Sequence, residues 1–182
     1  MSYNLENLQI LLVEDNLNMR ALVRAMLRAL GFETVRDCAN GQQAIEMLQQ
    51  FTPDIIVSDW MMEPVDGMDL TKFVRNSEES PDAYIPVILM TGHTERWRIL
   101  AARDTGVNEL LAKPISARTL YDRILAVIEK PRPFVRTKSY FGPCRRRTNW
   151  QDYLGPERRQ AAQSVEGASV QAQEIDRLLE SL

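Results

Sequence analysis

The fold of this chain is decided by the stretch Ile10-Leu11-Leu12-Val13-Glu14-Asp15-Asn16. An apolar run that ends at two adjacent acids and is followed by a helical pattern is typical of a buried strand in a parallel sheet. Open α/β sheets bind their ligands at the carboxyl ends of such strands. The acids would also fit a strand that simply ends where water begins, so the other strand ends must decide between these interpretations.

Apolar runs and helical periodicities alternate along the first 130 residues. Five strands and five helices follow one another, with turn signals such as Asn40-Gly41 and a stop signal at Pro131. This alternation predicts right-handed βαβ units and a parallel sheet with helices on both faces. We therefore expect a doubly wound α/β fold: a five-stranded parallel sheet in the flavodoxin-like order 2-1-3-4-5.

The expected strand ends carry polar residues of complementary chemistry. Strand 1 ends at Glu14 and Asp15, strand 3 at Asp59, strand 4 at Thr91 and strand 5 at Lys113. Three carboxylates on one rim repel one another, and their oxygens suit Mg²⁺. Together with a lysine and a hydroxyl group, they describe phosphoryl transfer. Asp59 is the expected nucleophile because it is a single acid after a central strand, which leaves the two acids of strand 1 to hold the metal.

Composition and charge exclude several other classes of protein. The chain has 182 residues, of which 45% are hydrophobic and 26% charged, as expected for a globular core with an appendage. No apolar run approaches the roughly 20 residues of a membrane span, and no signal pattern begins the chain, so we expect a cytoplasmic protein. Two cysteines and one histidine provide neither a disulfide framework nor a zinc site.

Five motifs in this order resemble the receiver domain of two-component response regulators, over about residues 7–130. The motifs are Leu11-Leu12-Val13-Glu14-Asp15, Asp59-Trp60-Met61-Met62, Asp66-Gly67, Met90-Thr91-Gly92 and Lys113-Pro114. The resemblance implies that Asp59 accepts a phosphoryl group from a histidine kinase or a histidine phosphotransfer protein. Such a chain is not an enzyme in the ordinary sense, because it catalyses only its own Mg²⁺-dependent phosphorylation and dephosphorylation.

The resemblance also implies a ligand set. Mg²⁺ would be bound by Glu14, Asp15, Asp59 and the backbone carbonyl of Met61. The phosphoryl group would contact Thr91 and Lys113, and the Lys113-Pro114 peptide bond would be cis.

Three positions depart from the pattern of the family. Glu63 stands where the family usually has proline, which here follows as Pro64. Leu110 replaces the usual aromatic switch residue, so a shift of the threonine alone would carry the signal. Trp60 directly follows the acceptor, where it would either shield the acyl phosphate from water or pack as a partly buried aromatic side chain.

The C-terminal segment differs from the rest in charge. Residues 1–130 hold 13 basic and 19 acidic side chains, whereas residues 131–159 hold 8 and 2. We expect residues 131–164 to form a largely irregular Pro/Arg-rich extension, and residues 165–182 to end it with a short amphipathic helix. That helix would carry its apolar side chains at i, i+3, i+4 and i+7.

A seven-residue pattern occurs twice in this extension. The copies are Tyr140-Phe141-Gly142-Pro143-Cys144-Arg145-Arg146 and Tyr153-Leu154-Gly155-Pro156-Glu157-Arg158-Arg159. In each copy the aromatic residue would anchor the segment, Gly-Pro would fix a bend, and the arginines would reach anions or carboxylates.

These observations predict a receiver domain over residues 1–130 that signals through protein–protein interaction, involving its C-terminal segment and an unidentified downstream protein. A phosphorylation-independent scaffold or homodimerisation module is the first alternative. A DNA-binding regulator that uses the basic repeats is the second. Nucleic acid is the less favoured partner because the basic stretch is short and the whole chain is acidic, with a net charge of -3.

Overall fold

The computed structural model describes residues 5–92 and 95–145 of the protein. Within these ranges, five strands alternate with five helices. The strands are β1 (Gln9–Val13), β2 (Thr34–Cys38), β3 (Ile55–Asp59), β4 (Val87–Thr91) and β5 (Glu109–Ala112). The helices are α1 (Leu17–Ala29), α2 (Gly41–Leu48), α3 (Gly67–Asn76), α4 (Arg96–Thr105) and α5 (Ala117–Glu129).

All five strands are parallel and lie in the order β2-β1-β3-β4-β5. This confirms the predicted doubly wound fold. Strands β1 and β3 are neighbours although they are not consecutive, so the order in which strands are added to the sheet reverses at this point. Such a switch point opens a crevice at the carboxyl ends of the two strands.

The two faces of the sheet bury different helices because successive side chains of a strand point to opposite sides. On β1, Ile10 and Leu12 join a core with side chains of α1 and α5, whereas Leu11 and Val13 join a core with α2 and α3. A third cluster lies between the sheet and α4. All four of these β1 side chains are fully buried, which explains the uninterrupted apolar run.

Side-chain caps fix where the helices begin. Asn16 accepts hydrogen bonds from the backbone N–H groups of two residues in the first turn of α1. Asn40, Asp66 and Ser116 cap α2, α3 and α5 in the same way. Each cap satisfies backbone donors that have no partner inside the helix. These helices follow strands directly, so their N-termini lie around the carboxyl rim of the sheet.

The chain after β3 returns closely to the end of that strand. The backbone N–H of Gly67 donates to the carbonyl of Trp60, and a Cβ at Gly67 would collide with the carbonyl oxygen of Asp59. Only glycine fits this approach without a shift. The peptide bond Lys113-Pro114 is cis, as the resemblance implied, and so is Glu63-Pro64.

Residues beyond α5 form a β-hairpin packed against α3 and the segments that precede β4 and β5, where the sequence had indicated a bend at Gly-Pro. Strand β6 (Phe134–Arg136) pairs antiparallel with β7 (Phe141–Pro143), so Gly142-Pro143 lies within a strand. The prediction that Tyr140 anchors the segment is confirmed, since its side chain is buried. The second copy of the repeat and the predicted helix at 165–182 lie outside the described residues.

The hairpin covers the amino ends of β4 and β5, at the base of the sheet. The guanidinium of Arg132 donates to the carbonyls of Val107, Asn108 and Cys144. The rings of Tyr84, Phe134 and Phe141 contact one another, with centroids 4.9–5.6 Å apart. The hairpin therefore lies at the opposite end of the sheet from the rim that carries the acids.

Among the described residues, no helix combines the length and the apolar character that crossing a membrane would require.

Candidate functional site

The carboxyl ends of β1 and β3 bring the three predicted acids together. Glu14, Asp15 and Asp59 each offer a carboxylate oxygen, and these oxygens all lie within 4.8 Å of one another. Glu14 and Asp59 are buried, whereas Asp15 is exposed. The cluster therefore has an inner pair of carboxylates and an outer one that faces solvent.

Lys113 follows β5 and reaches into this cluster. Its Nζ lies 2.8 Å from Asp59 Oδ1 and 3.1 Å from Glu14 Oε2. Burial by itself would lower the pKa of Lys113, but the hydrogen bond and charge of Asp59, followed by those of Glu14, raise that pKa above its ordinary value. The lysine is thus held in its charged form between two carboxylates.

Glu14 is the acid of this site whose ionised form is clearly destabilised by its surroundings. Burial raises the pKa of its carboxyl group, and the nearby charge of Asp59 raises it further. Hydrogen bonds from Lys113 Nζ and from the backbone N–H of Asn16 offset only part of this effect. One ammonium does not neutralise three carboxylates, so the site favours an additional cation.

The remaining predicted residues occupy the same rim. Thr91 ends β4 and is fully buried, and its backbone carbonyl accepts a hydrogen bond from the N–H of Lys113 at 2.7 Å. Met61 lies two residues after Asp59, and its side chain is largely exposed. The rim therefore carries every residue that the sequence had nominated for the site.

The donor chemistry of the cluster fits magnesium. Mg²⁺ prefers oxygen ligands, retains several waters and is usually held by one or two carboxylates together with phosphate oxygens. Three carboxylates from two strand ends match this preference, and the exposed position of Asp15 leaves a side open to water and phosphate.

Trp60 and Leu110 pack together below α4. Both side chains are buried, and they share one cluster with Leu89, Ile99 and Ala102. The structure thus favours the packing interpretation of Trp60 over the shielding one. The large indole lies in the same cluster as Leu110, the leucine that stands where the family usually has an aromatic residue.

One residue that positions the site was missed by the sequence interpretation. Arg20 of α1 donates to the backbone carbonyl of Glu14 at 2.9 Å, and its Nε lies 3.3 Å from Asp37. It therefore holds the strand end that carries the two acids. No sequence signal reveals it, because an arginine on a helix is usually a solvated surface residue.

The protein belongs to the response regulator receiver domain family, which it matches over residues 10–125. Receiver domains are signalling proteins rather than classical enzymes, and they bind Mg²⁺ at their acidic site. They interact with histidine kinases or phosphotransfer proteins.

Two curated relatives support the assignment over nearly their whole length. The chemotaxis protein CheY-3 of Vibrio cholerae serotype O1 is 35% identical over 125 residues, which are 69% of this chain and 95% of that protein. The chemotaxis protein CheY of Pseudomonas aeruginosa is 33% identical over 123 residues, which are 68% of this chain and 98% of that protein. The family match itself ends at residue 125.

Solved structures agree with the fold. The receiver domain of the sensor histidine kinase PA1611 from Pseudomonas aeruginosa, with a magnesium ion coordinated in its active site cleft, superposes with a TM-score of 0.58 at 33% identity. That superposition covers 65% of this chain and 94% of the other. The Vibrio cholerae chemotaxis protein CheY4 gives a TM-score of 0.61 at 26% identity, covering 66% and 98% of the two chains.

Proposed function

We propose that this protein is a response regulator that accepts a phosphoryl group on Asp59. The observation that carries the proposal is the contact of Lys113 Nζ with Asp59 Oδ1 at 2.8 Å, inside a cluster of three carboxylates. A lysine in this place can move from the free carboxylate to a phosphoryl oxygen once the aspartate is modified, and so stabilise the added charge.

In the proposed reaction, a carboxylate oxygen of Asp59 attacks the phosphorus of a phosphohistidine donor. A P–O bond forms as the P–N bond breaks, and the bonding pair stays on the imidazole nitrogen. Glu14, Asp15, Asp59 and the carbonyl of Met61 would hold Mg²⁺, which supplies neutralisation of the carboxylate and phosphoryl charges. Thr91 would then donate its hydroxyl group to a phosphoryl oxygen.

The proposed partners follow from this chemistry. The donor is a histidine kinase or a histidine phosphotransfer protein. The output is a protein–protein interaction that involves residues beyond 130, since the hairpin in this segment already packs on the receiver domain.

Phosphorylation can be tested with the full chain, Mg²⁺ and acetyl phosphate, followed by intact mass spectrometry. We expect one added phosphoryl group, none after Asp59→Asn, and none when the metal is chelated. Asp54→Asn is the matched control, because Asp54 directly precedes β3, at the end of the strand opposite Asp59, and accepts a hydrogen bond from the N–H of Gln9. An adduct that survives Asp59→Asn would contradict Asp59 as the acceptor, and no adduct at all would favour the phosphorylation-independent scaffold.

A further inference from the structure

The contacts within the docked hairpin account for the residue types of the seven-residue pattern. Tyr140 is buried, and its hydroxyl group donates to the carbonyl of Pro143 at 2.6 Å. The guanidinium of Arg145 lies 4.4 Å from the centroid of the Tyr140 ring. The tyrosine, the proline and the arginine of the pattern therefore form one compact unit whose contacts depend on their spacing.

The glycine of the pattern lets this unit approach the receiver domain. A Cβ at Gly142 would lie 2.7 Å from the Tyr140 hydroxyl oxygen and 2.9 Å from the Cα of Gly106, in the loop between α4 and β5. Because real Cβ atoms do not tolerate such distances, a larger residue would displace the strand. Two glycines facing each other thus set the depth at which the hairpin docks.

The receiver domain supplies a complementary surface, which we call the base groove and define by Arg75, Tyr84, Asp104 and Gly106. Asp104 forms an ion pair with Arg145 at 2.8 Å, and the Tyr84 ring contacts Phe141. The guanidinium of Arg75 lies 5.1 Å from the ring centroid of Phe134 in the pairing strand.

The second copy repeats the residues that make these contacts. Tyr153, Gly155, Pro156 and Arg158 have the spacing of Tyr140, Gly142, Pro143 and Arg145. In the first copy, the hydrogen bond from tyrosine to proline and the stacking of arginine on tyrosine both lie within the seven-residue pattern. The second copy has the same residue types at these positions, with Glu157 where the first copy has the buried Cys144.

We propose that the segment 153–158 is a second occupant of the base groove, which exchanges with segment 140–145 of the same chain. Strand β6 would pair with either copy, so the hairpin has two registers that are 13 residues apart. When the second copy docks, residues 137–153 become the connecting loop, and Arg145 leaves Asp104.

Chain connectivity favours the first copy. The loop between β6 and the docked strand has four residues, 137–140, for the first copy and would have 17, 137–153, for the second. Loop closure alone then weakens the second register about ninefold. Leu154 also replaces Phe141, which removes the ring contacts with Tyr84 and Phe134. The second copy is thus a minority occupant that takes over when the first is released.

Exchange within one chain is favoured over exchange between chains, because a covalent tether of this length gives an effective concentration of roughly millimolar. The two registers would therefore expose different segments to a partner. One register releases the second copy, and the other releases Tyr140, Phe141 and the basic run that begins at Arg145. A partner that binds one released segment would shift the population between the registers.

Thiol cross-linking in the full chain tests the exchange. Both native cysteines are replaced by alanine, and Ala101→Cys places a thiol on α4 one turn before Asp104. A second thiol is introduced at Arg146→Cys to report the first copy, or at Arg159→Cys to report the second. A short bismaleimide then links the thiols, and circular dichroism verifies that each variant is folded.

We expect efficient cross-linking at position 146 and at least about tenfold less at position 159, because the loss of ring contacts adds to the cost of loop closure. Tyr140→Ala, which removes the anchor of the first copy, should raise the yield at 159 several-fold, and adding Tyr153→Ala should abolish that gain. Arg145→Ala is a milder release variant in case Tyr140→Ala fails to fold. The proposal would be overturned if the yield at 159 does not rise in Tyr140→Ala or Arg145→Ala. It would also be overturned if Tyr153→Ala leaves that yield unchanged, or if the cross-links join two chains.

Discussion

The two ends of the sheet hold charge in opposite ways. At the rim, three carboxylates lie close together, and the ammonium of Lys113 contacts two of them. At the base, the guanidinium of Arg75 is surrounded by neutral oxygens, namely the carbonyls of Ala83, Ile85 and Gly106 and the side chain of Asn108. The rim is under-neutralised and ready for a cation, whereas the base satisfies its own charge by hydrogen bonds.

This difference separates stability from function within one domain. Burial lowers the pKa of Arg75 to about 10, which still leaves it charged near neutral pH. Four of its five N–H donors are paired to fixed acceptors. Buried polar groups that are fully hydrogen-bonded stabilise a unique structure. Glu14 shows the reverse, because its raised pKa means that its ionised form is destabilised in the folded protein. We expect substitutions at the two ends to change stability in opposite directions.

The largest effect is expected for Arg75→Ala. It would leave several buried carbonyls without a donor, each worth about 1–3 kcal/mol, and so lower the free energy of unfolding by about 4 kcal/mol. Urea unfolding of the full chain measures this. Lys72→Ala is the matched control, because Lys72 lies on the same helix in an exposed pair with Asp69 and should cost less than about 1 kcal/mol. Similar losses for the two variants would contradict the described role of the base.

The next effect concerns the packing of the hairpin on the base. Gly142→Ala would place a methyl group against the Tyr140 hydroxyl and Gly106, and overpacking of this kind costs about 1–3 kcal/mol. Hydrogen exchange should show faster exchange of the Cys144 amide, which donates to the carbonyl of Pro133. Gly92→Ala is the control at the rim, since a Cβ there meets nothing within 4 Å. Unchanged exchange at Cys144 would mean that the hairpin does not depend on this contact.

The rim was predictable from the sequence because its residues follow apolar strands directly. Glu14, Asp59 and Lys113 stand at strand ends, and parallel pairing then places them together whatever the details of packing. The observed strand register was not needed for this prediction, because the alternation of strands and helices already implied a parallel sheet.

The base was not predictable for a physical reason. Three of the four hydrogen-bond acceptors of Arg75 are backbone carbonyls, which every residue type carries, so no side-chain pattern indicates them. Gly142-Pro143 usually signals a turn, yet a proline at the end of a short edge strand loses no ladder hydrogen bond that the strand needs. Only the burial of Tyr140 had a sequence signal, through the repeated aromatic position.

At the rim, we expect Glu14→Gln to raise the free energy of unfolding, whereas Arg75→Ala at the base lowers it. Without Mg²⁺ this substitution removes a buried charge, and the free energy of unfolding should rise by about 1 kcal/mol, seen as a melting temperature some 2–4 °C higher. Added Mg²⁺ should stabilise the unsubstituted protein more than the variant. Glu129→Gln, on the exposed end of α5, is the control and should change neither quantity.

The Glu14→Gln variant also tests how the free energy of unfolding depends on pH. Because the folded pKa of Glu14 lies above 4.5, the folded state binds its proton more tightly than the unfolded state. This stabilisation is complete below pH 4.5 and is lost as the pH rises through the folded pKa. With a chelator present, the stability of the unsubstituted protein relative to Glu14→Gln should therefore improve as the pH falls from 7. A difference that stays flat would contradict the raised pKa.

The smallest effect is expected where the base is exposed. Arg145 and Asp104 form an ion pair that is roughly half exposed on both sides, and Arg145 also stacks on Tyr140. Arg145→Ala should cost only about 0.5–1 kcal/mol, and the part due to the ion pair should shrink as salt is added. A double-mutant cycle with Asp104→Asn separates the two contributions, since stacking on Tyr140 persists when Asp104 is neutral. Coupling that is large or insensitive to salt would show that this edge of the base is as tightly integrated as Arg75, and the contrast between the two ends would then extend to the hairpin itself.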